Sequence, residues 1–123
     1  MQSGFNAYAA AAKSAQSVVS PRDLEASLLI KAATRLQSVA DDWSNREREL
    51  DEALTYNRKL WTLLVSAVIA EDNPLPVGIK QNILGLANFI FNQTIMIAAN
   101  PQPTALGALV SINRDIAAGL RGR

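Results

Sequence analysis

The sequence predicts an all-α protein, folded as a compact bundle of about five helices. The prolines, at positions 21, 74, 76, 101 and 103, each lie at the edge of an apolar-periodic stretch. Proline suits the first turn of a helix and disrupts its interior, so each cluster marks a boundary. Between the boundaries Ala, Leu, Arg, Gln and Glu dominate, and no alternating run rich in Val, Ile and Thr occurs. A length of 123 residues predicts one domain, residues 1–123.

The first two predicted helices differ in the strength of their apolar faces. Helix one covers residues 3–18, with Phe5, Tyr8, Ala12 and Ala15 at helical spacing. Because this face is small, we expect residues 1–19 to pack weakly and to be mobile. Helix two begins at proline 21, after a capping serine, and has a longer stripe. That stripe comprises Leu24, Leu28, Ala32, Leu36, Val39 and Trp43.

The remaining helices are predicted at residues 45–70, 76–99 and 104–120. A break at residues 41–45 separates helices two and three, since Ser44 and Glu47 repeat the spacing of a helix cap. Charges of alternating sign follow this break, on a face that we expect to be solvated. Helix four is so broadly apolar that it must be buried on several sides or covered by a partner. Its two stripes are Ile79, Ile83, Leu86, Ala87, Ile90, Thr94, Ile97 and, beside them, Leu84, Phe91, Ile95, Ala98.

The composition limits the chemistry of the chain. It has no cysteine, no histidine and a net charge of +1. Missing cysteines exclude disulfides and zinc held by sulfur, and missing histidines remove the commonest general base and metal ligand. We therefore expect no enzyme, no metal and no cofactor. The balanced charge creates no strong field towards nucleic acid or an anionic membrane, so neither is an expected partner.

Residues 79–99 are long enough to be tested as a membrane span, which needs about 20 predominantly apolar residues. The segment contains Lys80 and several amides spread along its length, and amides are costly in hydrocarbon. We expect a buried helix of a soluble bundle. Residues 1–5 lack the basic start and apolar core of a signal peptide, which favours a cytoplasmic protein.

Asparagines embedded in the apolar stripes allow two interpretations. A buried asparagine needs hydrogen-bond partners, so these residues could satisfy helix ends and neighbouring backbone inside the bundle. Alternatively, they orient a partner helix in an apolar groove whose anchors are aromatic, because aromatics and Arg dominate binding hot spots. The candidate partner-binding residues are Tyr56, Asn57, Trp61, Asn82, Phe89, Phe91, Asn113 and Arg114.

Seven short stretches of the chain form a recognisable series: SPRDLEA (20–26), LDEAL (50–54), YNR (56–58), LW (60–61), DNPLP (72–76), QNI (81–83) and INRDIAAGL (112–120). With these stretches the chain resembles the FlaF family, flagellar biosynthesis regulators of alphaproteobacteria. None is a catalytic motif; their order and spacing together, over residues 8–122, make the resemblance.

The resemblance implies a role in flagellin production and export. Its implied partners are flagellin and FlbT, a regulator that acts on flagellin messenger RNA. The implied activity is that of a secretion chaperone and positive regulator, which covers an amphipathic helical end of flagellin in an apolar groove. The alternative is a post-transcriptional regulator of flagellin mRNA that acts with FlbT. Direct RNA contact is disfavoured because acidic residues interrupt the basic cluster of Arg46, Arg48, Arg58 and Lys59.

Overall fold

Four long helices dominate the computed structural model, which describes residues 21–122. They are α1 (Pro21–Asp41), α2 (Leu50–Ile69), α3 (Val77–Ala99) and α4 (Gly107–Leu120). No strand occurs within this range, so the all-α prediction is confirmed. The predicted count of about five helices is close, since the described residues hold four long helices. The predicted helix at residues 3–18 lies outside the described residues.

Short helical turns connect the long helices where the sequence predicted boundaries. A single α-turn, Trp43–Arg46, and a 3₁₀ turn, Glu47–Glu49, separate α1 from α2. The break is therefore confirmed, but α2 begins at Leu50 rather than at residue 45. A second 3₁₀ turn, Pro103–Leu106, leads into α4. Proline fits that position since it lacks the N–H that an interior helical residue donates.

The charged stretch around the first connection is exposed, as the alternating signs predicted. The Arg46 guanidinium lies between two carboxylates, 3.7 Å from Asp42 and 4.0 Å from Glu49. All three side chains are close to half exposed, and such surface pairs contribute little to stability. This stretch is a solvated surface.

The predicted stripe of α1 is confirmed at Ala32, Leu36 and Val39, which are all buried. Nearer the start of the helix the buried residue is Leu29, whereas Leu28 of the predicted stripe is only partly buried. On this face α1 packs most extensively against α4 and next against α2. The helices α1 and α4 are antiparallel, because Arg121 Nη2 donates to Ser27 Oγ at 2.7 Å and places the end of α4 beside the start of α1.

The loop between α2 and α3 is held by the side chain of Asn73. Its amide Nδ2 donates to the carbonyl of Ala67 at 2.9 Å, and its Oδ1 accepts from the N–H of Leu75 at 2.9 Å. Leu75 is itself buried. These contacts close the end of α2 and direct the chain into α3.

Helix α3 packs against α2 and has few contacts with α4. Its buried residues form one stripe, Ile83, Ala87, Ile90, Thr94 and Ile97. Within residues 21–122 the second predicted stripe and the opposite flank of α3 are largely uncovered, so the described helices do not bury this segment on several sides. Of the two predicted alternatives, cover by a partner remains. The four helices therefore leave a gap on the side where α3 and α4 face each other.

Candidate functional site

Three of the predicted partner-binding residues meet inside the protein. Trp61 Nε1 donates to Asn113 Oδ1 at 2.9 Å, and Asn113 Nδ2 donates to Asn57 Oδ1 at 2.7 Å. The same Asn113 amide lies 3.3 Å from the carbonyl of Leu29. All three side chains have zero exposure. We call Asn57, Trp61 and Asn113 the interior polar cluster; it links α2 and α4 directly and α1 through its backbone.

The placement of this cluster corrects its assignment as a partner contact. A partner that docks on the folded surface cannot reach fully buried side chains, so the first interpretation of the asparagines describes Asn57 and Asn113 better. Asn57 Nδ2 has no hydrogen-bond partner among the described residues, although it is buried. An unsatisfied buried donor costs about 1–3 kcal/mol. The cluster is thus a structural element that still contains one unpaired group.

The opposite situation holds on α3, where large apolar side chains face solvent. Ile95 and Met96 are 67% and 62% exposed, and Phe89 is 40% exposed. Within residues 21–122, Val77–Ala99 is also the one helix that length and composition would allow to cross a membrane. Only 28% of its most apolar 18-residue window is buried. Several large apolar side chains exposed on one helix indicate a candidate interaction surface.

A cleft of about 300 Å³ lies where α3 and α4 diverge. Its walls are the amino-terminal half of α3 and the carboxyl-terminal half of α4, and most lining side chains are aliphatic. The lining residues are Ile79, Asn82, Ile83, Leu86, Ile112, Asp115, Ile116, Gly119 and Leu120. We call this cleft the α3–α4 groove. Gly119 contributes no side chain to this wall, and an added Cβ there would meet no atom within 4 Å.

Of the predicted residues, Asn82 lines the α3–α4 groove and Phe89 continues the same flank of α3. The spacing from Ile79 through Asn82 and Leu86 to Phe89 is three, four and three residues, which keeps all four on one side of a helix. Arg114 is exposed on α4, next to the lining residue Asp115. The structure therefore brings part of the predicted set to one groove.

Tyr56 and Phe91 lie elsewhere. Phe91 is half-buried on the other flank of α3, against the core. The Tyr56 ring packs beneath two cations, with Lys31 Nζ 5.8 Å and Arg35 Cζ 5.0 Å from its centroid. Burial raises the pKa of the Tyr56 phenol, and the positive charge of Arg35 lowers it. This cation–π cluster belongs to the surface formed by α1 and α2, not to the groove.

A comparison of the sequence with family models shows to which family the chain belongs. The chain matches the model described as flagellar protein FlaF over residues 5–120. The chain belongs to the FlaF family. Comparison with curated proteins and with solved structures gave no match. As a FlaF protein it takes part in the biogenesis of the flagellum.

The α4 wall of the groove in this FlaF protein was missed by sequence reasoning. Ile112, Asp115, Ile116 and Gly119 follow each other at three- and four-residue spacings, a signal that the sequence does contain. This spacing does not indicate that α4 faces α3 across a gap. Within residues 21–122 no three Asp, Glu, His or Cys side chains come together in a way that could hold a metal ion.

Proposed function

We propose that this FlaF protein is a non-catalytic chaperone that binds flagellin in the cytoplasm and promotes its synthesis and secretion. In this proposal the α3–α4 groove covers an amphipathic terminal helix of flagellin until export. The observation that supports it best is an open apolar groove with helical walls, continuous with exposed apolar side chains on α3.

The shape and lining of the groove suit a helical ligand. An amphipathic helix docks through apolar anchors spaced three and four residues apart, into a groove formed by other helices. Ile79, Leu86 and Ile116 offer apolar contacts in this groove, and the polar groups of Asn82 and Asp115 stand among them. Apolar contacts supply the driving force for binding, while the polar groups favour one orientation of the ligand.

A protein ligand explains the exposed side of α3 better than a membrane does. Gln81, Asn88 and Asn92 are exposed on the side of α3 that faces away from its buried stripe. Placing these amides in hydrocarbon without partners would cost several kcal/mol each. If the amide side of α3 stays in water and an apolar protein partner covers the flank next to the α3–α4 groove, the amides and the apolar side chains both have a favourable environment.

The alternative function, regulation of flagellin mRNA together with FlbT, has less support in the geometry. Arg46, a central residue of the basic cluster, already pairs with Asp42 and Glu49. A positive surface that follows a phosphate backbone needs cations without such acidic neighbours. If regulation of mRNA occurs, we propose that it acts through FlbT and not through direct RNA contact.

The proposal is tested by filling the groove without disturbing the fold. Gly119→Met inserts a side chain into the groove, and Gly85→Met inserts the same side chain on the outer side of α3. A Cβ at either position meets no atom within 4 Å. Calorimetric titration with monomeric flagellin should show at least about tenfold weaker binding for Gly119→Met, equal to 1.4 kcal/mol, and unchanged binding for Gly85→Met.

Two further samples complete this experiment. Flagellin without its carboxyl-terminal helical segment should not be retained by the unmodified protein. A gel-shift assay with flagellin leader RNA should show no complex with the FlaF protein alone. Equal flagellin affinity of the two glycine variants, or retention of the truncated flagellin, would contradict binding of a terminal helix in this groove. Tight RNA binding would reverse the ranking of the two functions.

A further inference from the structure

We propose that the α3–α4 groove selects a helix that carries one basic side chain between two apolar anchors. Asp115, together with Asn82, is the residue that selects this helix and sets its register. This inference rests on the proposed function, because it describes the chemistry of the helix that the groove binds.

The two walls of the groove run in opposite directions. Helix α3 ends and α4 begins on either side of a short connection, residues 100–106. The groove is lined by the other ends of these helices, within residues 79–86 and 112–120. Antiparallel walls of similar length place their middle residues at the same level, so Asn82 of α3 lies at about the level of Asp115 of α4.

The polar side chains of the groove lie at this middle level. Among the described lining residues, Asn82 and Asp115 are the two with polar side chains. A ligand helix that contacts the apolar residues on both sides of this level uses anchors about two turns apart, and one residue three or four positions from each anchor faces the polar level. The aliphatic lining side chains are Ile79 and Leu120 towards one end, Leu86 and Ile112 towards the other, and the buried Ile83 and Ile116 between them.

The carboxylate of Asp115 needs a basic partner in the complex. Its side chain is exposed, and within residues 21–122 no hydrogen bond or ion pair joins it to another residue. Arg114 lies about 100° around α4 from it and does not line the groove. A helix seated in the groove takes water away from this carboxylate, and a charge removed from water without a partner is costly. A Lys or Arg of the ligand removes that cost and also donates to the Asn82 amide oxygen.

The same contact rejects helices of the wrong register or charge. A ligand displaced by one turn places an apolar side chain against Asp115 and its basic side chain against aliphatic walls, and both placements are unfavourable. A single polar residue in the apolar seam of a coiled coil fixes the register in this way. The groove therefore distinguishes its ligand from amphipathic helices that lack the basic residue.

A reversal of charge in the groove tests this assignment on the full chain. Asp115→Lys reverses the charge at the polar level, and Asp51→Lys makes the same change in net charge on the exposed surface of α2, outside the groove. Calorimetric titration with monomeric flagellin should show about hundredfold weaker binding for Asp115→Lys and a change of less than about twofold for Asp51→Lys. Circular dichroism checks that both variants keep the helicity of the unmodified protein.

Compensating changes in flagellin identify the partner of Asp115. Each Lys and Arg of the carboxyl-terminal helical segment is changed in turn to Glu and titrated against the Asp115→Lys variant. One of these changes should restore the affinity to within about fivefold of the unmodified pair, at a position with apolar residues three or four places away on both sides. Failure of every change to restore binding would overturn the assignment. Equal restoration by several changes, or restoration at a position without these apolar neighbours, would overturn it too.

Gly119→Met, titrated in parallel, separates this assignment from the proposed function. If Gly119→Met weakens binding while Asp115→Lys behaves like Asp51→Lys, flagellin occupies the groove without using Asp115. That result overturns selection by charge and leaves the chaperone function supported. If the unmodified protein does not bind flagellin, or if Gly119→Met has no effect, the proposed function is contradicted and selection by Asp115 is contradicted with it.

Discussion

The neighbouring helices α2 and α3 have similar lengths but differ in which side chains they bury and which they expose. Helix α2 buries polar atoms, including the amide of Asn57 and the indole N–H of Trp61, and pairs them with Asn113. Helix α3 exposes apolar side chains, with Ile95 and Met96 more than 60% exposed. The hydrogen bonds of these buried groups connect α2 to α4 and, through the Leu29 carbonyl, α4 to α1. The exposed groups of α3 have no structural partner in the described residues, which is typical of a binding surface.

The largest loss in the free energy of unfolding is expected for a substitution at the centre of the interior polar cluster. Trp61→Ala removes a fully buried indole and leaves Asn113 Oδ1 without its donor. Loss of a large buried aromatic costs about 3–5 kcal/mol. Urea unfolding should show this loss, whereas Phe89→Ala, at a 40% exposed ring, should change the free energy of unfolding by less than about 1 kcal/mol. Equal losses would place Phe89 in the core.

The next comparison lies within α3, between two isoleucines separated by one residue. Ile97 is 2% exposed and Ile95 is 67% exposed. Ile97→Ala should cost about 2–5 kcal/mol in the free energy of unfolding, because it opens a cavity in the buried core. Ile95→Ala should stay within about 0.5 kcal/mol of the unmodified protein. A large loss at Ile95 would mean that another part of the protein covers this flank.

A smaller difference in the free energy of unfolding is expected between substitutions of the two buried asparagines. Asn113→Ala removes the acceptor of Trp61 Nε1 and the donor to Asn57 Oδ1, so it leaves two buried groups unpaired. Its expected cost exceeds that of Asn57→Ala by about 1–3 kcal/mol, because the amide of Asn113 keeps its contact with Leu29 when Asn57 is removed. Chemical denaturation measures both. A costlier Asn57→Ala would show that its unpaired Nδ2 has a partner.

The smallest effect concerns pH and lies outside both regions, at Tyr56. Burial raises the pKa of this phenol above 10.0, its ordinary value, despite the opposing charge of Arg35. The folded protein therefore holds the proton more tightly than the unfolded chain does. The resulting stability is fully present below about pH 10 and is lost as pH rises through the raised pKa. Tyr56→Phe should flatten this decline in urea unfolding, and an unchanged slope would contradict it.

The sequence predicted the helices well because the signals for them are local. Prolines at 74, 76, 101 and 103 mark the observed ends of α2, α3 and α4 to within a few residues. The predicted start of the third helix at residue 45 was wrong because residues 47–49 form a 3₁₀ turn. Cap spacing alone does not distinguish a 3₁₀ turn from the first turn of an α-helix.

The candidate site was only partly predictable because it depends on which helices face each other. Trp61 and Phe89 are both aromatic residues on apolar helices, and nothing local in the sequence separates core from surface. The structure does so by pairing Trp61 with Asn113 across 52 residues of sequence. Asn82 was included among the candidates, but the opposite wall with Ile116 was not, since the gap between α3 and α4 is a property of the packing.

Hydrogen exchange of the full chain, with and without monomeric flagellin, tests most directly whether the α3–α4 groove binds flagellin. We expect increased protection in residues 79–89 and 112–120, which form the two walls of the groove, and little change in residues 53–68 of α2. Protection confined to the surface around Tyr56, with the groove unchanged, would contradict the claim that the groove binds flagellin.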